Sequence, residues 1–162
     1  MSLHENIKRE LAKPENEPLF WLLGRALMEG KDNFLVEALL EGRLLVLDHW
    51  NKSIATFRSA LVNPEAAELK ISREFNLTRT ERVERDGTIR DLYAEILSVL
   101  TLSQLGYSQF RALLQQVQPT PDYEARYNDK QVGIEVKNLR EPDDLIRVVA
   151  ERHWDDLVRR SP

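Results

Sequence analysis

Two short segments in which apolar and polar residues alternate, Tyr123 to Tyr127 and Gln131 to Leu139, flank the dipeptide Asn128-Asp129. Strict alternation is typical of a half-buried strand, and Asn and Asp tolerate the left-handed backbone of a two-residue hairpin turn. The pattern therefore predicts a β-hairpin in which Tyr127 pairs with Lys130 and Tyr123 with Ile134. The register matters because a shift of one residue turns every side chain to the opposite face.

The predicted register gives the hairpin one apolar face and one charged face. The apolar face is expected to cover the core and consists of Tyr123, Ala125, Tyr127, Val132, Ile134 and Val136. The charged face carries Asp122, Glu124, Glu135 and Lys137 around Gly133. Directly opposed residues have Cβ atoms about 4.5–5.5 Å apart, so the carboxylates of Asp122 and Glu135 come within reach of one cation. A turn at Asp129-Lys130 would pair Glu124 with Glu135 instead and keep the same faces.

The first half of the chain has a helical pattern, with apolar residues three and four positions apart. The spacing predicts helices over Pro18–Met28, Asn33–Leu40 and Leu44–Leu61, a further short helix opening at Asn63-Pro64-Glu65, and a polar connector over Asn76–Gly87. Basic residues from Lys70 to Arg90 are interleaved with Glu and Asp, a pattern typical of a solvated face.

The second half combines helices with strands. A capping box at Thr88 predicts the start of a strongly apolar helix that ends at Gly106. The segment Tyr107–Gln118 is compatible with a strand, a short helix or both. Beyond the hairpin, Pro142 with two acidic residues after it predicts the first turn of a helix to about Arg159.

These elements predict a mixed α/β (α+β) protein with two regions. A helical N-terminal region is expected over residues 1–87, and a second region that combines helices and strands over residues 88–162; the family resemblance described below implies that this second region is a core with a small mixed sheet flanked by helices. The absence of cysteine excludes disulfides, thiol nucleophiles and cysteine metal sites. A net charge of -4 argues against an extended surface that neutralises many phosphates. With no apolar run of membrane length and no secretory leader pattern, we expect a cytoplasmic protein without a membrane partner.

The charged face of the hairpin predicts a metal site. Carboxylate oxygens with room for water suit Mg²⁺ or Mn²⁺ better than Zn²⁺. Lys137 lies on the same face as Glu135, and its ammonium would neutralise charge that develops on a phosphate. Glu124 would be a ligand only if the register shifted, and a salt bridge to Arg126 or Lys130 is its other expected role.

Glu95 is a further candidate, because its position in the apolar helix places it at the border of the buried face. It lies three, four and seven positions from Leu92, Val99 and Leu102. A carboxylate held against a packing surface needs a partner. That partner is either a metal ion or, if Glu95 has a capping or ion-pair role, an arginine.

These residues resemble a known nuclease motif. Pro121-Asp122, a gap of twelve residues and then Glu135-Val136-Lys137 resemble the PD-(D/E)XK motif of the restriction endonuclease-like nuclease superfamily. Glu95 and the later Leu105-Gly106-Tyr107 are similar to the acidic helix and Leu-Gly-Tyr of many members. The resemblance covers about residues 88–160 and implies a core of helix, three strands, helix and strand.

The resemblance also implies roles for the site residues. Asp122 and Glu135 would ligate the metal with help from the Val136 carbonyl, Lys137 would orient the attacking water, and Glu95 would be an outer or second ligand. The expected activity is that of a Mg²⁺-dependent endonuclease, with Mn²⁺ as an alternative ion, that hydrolyses phosphodiester bonds in nucleic acid, DNA in the first instance. Cleavage of both strands needs two sites, which predicts a homodimer or a partner protein.

Two other hypotheses compete with the nuclease. The first is a catalytically inactive nuclease-like fold that serves as a nucleic-acid or protein interaction module. The second is a mainly helical adaptor in which the hairpin has no function of its own. The sequence ends at Pro162, where the nuclease fold would add another strand, so we expect the sheet to be completed by a partner, by a reordered topology, or not at all.

Overall fold

The computed structural model of the chain describes residues 1–29, 31–74 and 81–137. Within these residues the chain forms six α-helices, one short 3-10 helix at Pro14–Asn16 and three strands. The helices are α1 Leu3–Leu11, α2 Glu17–Glu29, α3 Phe34–Glu41, α4 Leu44–Ala60, α5 Pro64–Glu74 and α6 Arg82–Gln104. The strands are β1 Ser108–Ala112, β2 Tyr123–Tyr127 and β3 Lys130–Ile134. The predicted mixture of helices and a small sheet is confirmed.

The helical periodicity predicted α2 to α4 close to their observed bounds, and the turn at Asn63-Pro64-Glu65 predicted the start of α5, whereas α1 was not predicted. Its sequence signal is a capping box, in which the Ser2 hydroxyl accepts from the Glu5 amide and the Glu5 carboxylate accepts from the Ser2 amide. The box stabilises a first turn that has few apolar residues. Helix α3 is capped in the expected way, because the Asn33 side chain accepts from the amides of Leu35 and Val36.

Helix α6 begins earlier than predicted. The interpretation of Asn76–Gly87 as a connector is wrong over Arg82–Gly87, which is helical, and Thr88 lies inside the helix, where its hydroxyl donates to the Glu84 carbonyl instead of forming a cap. Contacts with the start of α3 hold this first part of α6. Arg85 is buried and donates to the carbonyl and the carboxylate of Asp32. Residues on both sides of Gly87 share one hydrophobic core.

The three strands form an antiparallel sheet in the order β1-β2-β3. The predicted hairpin register is confirmed, with Tyr127 opposite Lys130 and Tyr123 opposite Ile134. Both turn residues have positive φ, 48° at Asn128 and 62° at Asp129. The undecided segment Tyr107–Gln118 contains β1, and a single parallel bridge joins Leu61 to Phe110.

The predicted strand Gln131–Leu139 is shorter than expected, because ladder pairing ends at Ile134. The chain continues to Lys137 without strand structure, and residues 138–139 lie outside the described residues, as does the helix predicted from Pro142 to about Arg159. Among the described helices, none combines the length and the apolar character needed to cross a membrane.

The hairpin turn offers a test of this backbone geometry. The left-handed backbone conformation destabilises an L-amino acid by roughly 1–2 kcal/mol, whereas the extra backbone entropy that glycine loses on folding amounts to about 0.5–1 kcal/mol. We therefore expect Asp129→Gly to raise the free energy of unfolding by about 0.5 kcal/mol. Urea denaturation measures the change, with Lys130→Gly in the adjoining strand as a control that should lower the midpoint. A lower midpoint for Asp129→Gly would contradict the turn geometry.

Candidate acidic site

The site forms around Lys70, a lysine on α5 whose side chain has no solvent exposure. Its Nζ atom lies 2.9 Å from Oε2 of Glu95 on α6 and 3.2 Å from Oδ1 of Asp122, the residue before β2. Two carboxylates from different elements thus converge on one ammonium. Because a buried charge is costly without an opposite charge, this pairing stabilises all three groups at the junction of α5, α6 and the sheet.

The burial of Lys70 corrects a prediction. The segment from Lys70 to Arg90 was expected to be a solvated face, and this is wrong for Lys70 and for Arg85, whose side chain is 3% exposed. The spacing along α5 could have identified Lys70, since Ala67 and Ile71 are also buried and lie three residues before it and one after it. These positions share one face of a helix. Lys70 is the site residue that sequence reasoning missed.

Glu95 is held by two donors at one oxygen. The Tyr123 hydroxyl donates to Oε2 at 2.8 Å, and the Lys70 ammonium donates to the same atom. Burial raises the pKa of Glu95 above its usual value, and the nearby Lys70 charge and the two hydrogen bonds partly oppose this increase. Glu95 was predicted to border the apolar face and to need a partner. Both described donors match that expectation, although the ion-pair partner is Lys70 and not the arginine that was expected.

The Tyr123 ring fixes the position of its hydroxyl. The side chain is fully buried, and its ring packs edge-on against Phe57 with centroids 6.1 Å apart. The Lys70 Nζ atom lies over the same ring, 5.2 Å from its centroid. The apolar face of the hairpin therefore supports the acidic site through Tyr123, which joins the core to Glu95.

Asp122 joins the start of β2 to the segment after β3. Its Oδ2 atom accepts a hydrogen bond of 2.8 Å from the Val136 amide, while Oδ1 faces Lys70. The contact follows from the hairpin register, because the start of β2 and the end of the antiparallel β3 lie side by side at the same end of the hairpin. This hydrogen bond therefore holds the segment Glu135–Lys137 beside Asp122.

The side chains of Glu135 and Lys137 do not enter the buried cluster. They are 62% and 72% exposed, and they form an ion pair with each other at 3.3 Å. The structure thus separates the predicted site residues into two groups. Glu95 and Asp122 meet around Lys70. Glu135 and Lys137 lie on either side of Val136, with their side chains in solvent. Only the Asp122 hydrogen bond to the Val136 amide connects the two groups among the contacts of the described residues.

Glu124 is not part of the acidic cluster. The alternative in which it becomes a ligand required the turn at Asp129-Lys130, and the observed turn at Asn128-Asp129 makes that register wrong. Glu124 pairs with Gly133 and Arg111 across the sheet and lines a polar groove of about 410 Å³. Its carboxylate forms neither of the two salt bridges proposed for it, to Arg126 or Lys130.

The carboxylates around Lys70 are of the type that a divalent cation needs as ligands. Glu95 and Asp122 supply carboxylate oxygens, the ligand type that Mg²⁺ and Mn²⁺ prefer, and both face one positive centre. Ligand type and convergence therefore fit such an ion. The centre is the Lys70 ammonium, and no third His, Asp or Glu joins the pair in the part of the chain that the structure describes.

Comparison with known proteins gave no match to a family model, a curated protein or a solved structure. The fold is that of a mixed α and β protein in which Glu95 of α6 and Asp122 before β2 form a partly buried acidic pair. Inference about function consequently depends on the geometry of this pair and on the chemistry of the side chains around it.

Proposed function

We propose that this chain is a Mg²⁺-dependent nuclease that hydrolyses phosphodiester bonds in DNA. The observation that carries the proposal is the convergence of Glu95 and Asp122 on one buried cationic centre. Asp122 is also hydrogen-bonded to the segment that contains Glu135 and Lys137. An acid on a helix, an acid before the central strand and an acid-lysine pair after the next strand are the arrangement that the resemblance to PD-(D/E)XK nucleases implies.

In the proposed site Asp122 and Glu95 would hold Mg²⁺, or Mn²⁺ in its place, with help from the Val136 carbonyl. Glu135 would join them only after its exposed side chain turned from Lys137 toward Asp122. When bound, the ion supplies Lewis-acid stabilisation of the negative charge on a phosphate. The other tasks belong to residues of the chain. The Tyr123 hydroxyl orients Glu95, and the Val136 amide orients Asp122. Lys137, which is exposed, orients the attacking water and offsets charge on the phosphate.

The proposed activity has a consequence for assembly. One such site cuts one strand, so cleavage of a duplex requires a homodimer or a partner protein. The helical N-terminal region is proposed to contribute this contact or the choice of target.

The same geometry favours a second candidate function. Lys70 is already paired with both partly buried acids, and Lys137 is paired with Glu135. A site in this state resembles a stable structural ion-pair network, which would suit an inactive nuclease-like fold that binds nucleic acid or protein. This candidate predicts binding without metal-dependent cleavage.

Plasmid cleavage separates the two candidates. We expect the purified chain to nick or linearise supercoiled plasmid with Mg²⁺ or Mn²⁺ and to leave it intact with EDTA, because the acids need a divalent cation to act on a phosphate. Single-stranded DNA and RNA in parallel reactions define the substrate. A folded chain that leaves all three intact with either ion would contradict the nuclease proposal and favour the interaction module.

A further inference from the structure

Lys70 occupies the position at which a shared cation would bind the two acids. Its ammonium donates to Oε2 of Glu95 and lies 3.2 Å from Oδ1 of Asp122. A divalent ion would use the same oxygen atoms at shorter distances, about 2.0–2.1 Å for Mg²⁺. An ion bound to the oxygen atoms that the ammonium contacts would lie close to a second positive charge, and this repulsion weakens its binding. The ammonium and the ion therefore compete for the same oxygens.

We propose that Lys70 is a resident cation of the acidic site, and that a divalent ion binds Glu95 and Asp122 only by displacing the Lys70 ammonium. This inference rests on the proposed function for its biological meaning, since it adds regulation to the same site. Lysine suits the role because its charge is a point at the end of a flexible four-carbon stem. The ammonium can leave the oxygens while α5 stays packed on the core through Ala67 and Ile71.

The competition has two consequences for the protein. Without divalent metal, Lys70 offsets the mutual repulsion of the two partly buried carboxylates. With metal, the site must first give up this ion pair, so its measured affinity is reduced by the free energy of the displaced pair. Lys70 thereby sets the metal concentration at which the site becomes loaded.

Calorimetric titration of Mn²⁺ into the full chain tests the inference. We expect Lys70→Met, which keeps the length and apolar stem of the side chain, to bind Mn²⁺ at least about tenfold more tightly than the wild type. The gain should disappear in Lys70→Met/Asp122→Asn. Lys52→Met is the matched control: Lys52 is exposed and pairs with Asp48 at 2.8 Å, so its loss should leave Mn²⁺ affinity unchanged. Equal or weaker Mn²⁺ binding by Lys70→Met would overturn the inference.

If Lys70→Met does not fold, the displacement of Lys70 can be tested by chemical modification of the wild-type chain. Acylation of Lys70 by an amine-reactive reagent, read by peptide mass spectrometry, should be slow in EDTA because the side chain is buried. It should increase severalfold when Mn²⁺ is added, and an unchanged rate would overturn the displacement. Plasmid cleavage by the same proteins keeps the two proposals separate. Tighter Mn²⁺ binding by Lys70→Met without cleavage by either protein supports the Lys70 inference and refutes the nuclease.

Discussion

Asp122→Asn is expected to reduce Mg²⁺-dependent plasmid cleavage by at least about 100-fold. A bound metal supplies several kcal/mol of transition-state stabilisation, and each 1.36 kcal/mol is tenfold in rate. Asp122 is the residue whose loss should matter most, because its two oxygens face Lys70 and the Val136 amide. Asn keeps the shape and one accepting oxygen but removes the negative charge that a divalent ion needs.

Glu124→Gln is the matched control for this experiment. Glu124 is two residues after Asp122 in the sequence, and its side chain faces the polar groove instead of Lys70. The Gln substitution removes one negative charge, as Asp122→Asn does. It should keep cleavage within about twofold of the wild type, since surface substitutions away from a site have small effects. Circular dichroism melts of both variants establish that they are folded. Full activity of a folded Asp122→Asn protein would remove Asp122 from the proposed site.

Lys70→Met is expected to lower the free energy of unfolding of the metal-free chain by about 3–5 kcal/mol. The substitution leaves the partly buried Glu95 and Asp122 beside each other without their shared ammonium. Removing one partner of such an ion pair is costly chiefly because the remaining charges have lost most of their hydration as well as their counterion. Urea denaturation in EDTA measures the change.

Neutralising the acids should rescue this loss. In the triple variant Lys70→Met/Glu95→Gln/Asp122→Asn no buried charge remains, so we expect stability to return to within about 1–2 kcal/mol of the wild type. Lys52→Met removes an ion pair that is mostly solvent-exposed and should cost less than about 1 kcal/mol. A loss for Lys70→Met no larger than for Lys52→Met would show that Lys70 does not stabilise the cluster.

The hairpin shows what local sequence is able to predict. Asn128 and Asp129 tolerate positive φ, and the alternation on either side assigns each neighbour to a face, so the turn, the pairing and the face of Tyr123 were all predicted. The proximity of Asp122 to the segment after β3 followed from the same register. These features depend on interactions between residues close in sequence, for which composition and spacing are sufficient.

The start of α6 shows where local sequence was insufficient. The polar residues before Gly87 look like a connector because nothing nearby in sequence buries them. Helix α6 instead begins at Arg82, since Arg85 reaches Asp32 and the Asp86 carboxylate accepts from the Phe34 amide. Both contacts join residues more than fifty positions apart. A polar helix end stabilised in this way gives little signal in a local pattern.

In the acidic site, too, local sequence predicted one part and tertiary packing decided the other. Backbone preferences and periodicity in the amino-acid order were enough to place Glu95 at a helix border and to bring Asp122 beside Glu135 and Lys137. Packing of α5 against α2 and β1 then placed Lys70 where its side chain reaches Glu95 and Asp122, while Glu135 and Lys137 stayed on the solvent side. Local order cannot show this, because the cost of burying a charge depends on which opposite charge lies within about 3–4 Å in space, however distant it is along the chain.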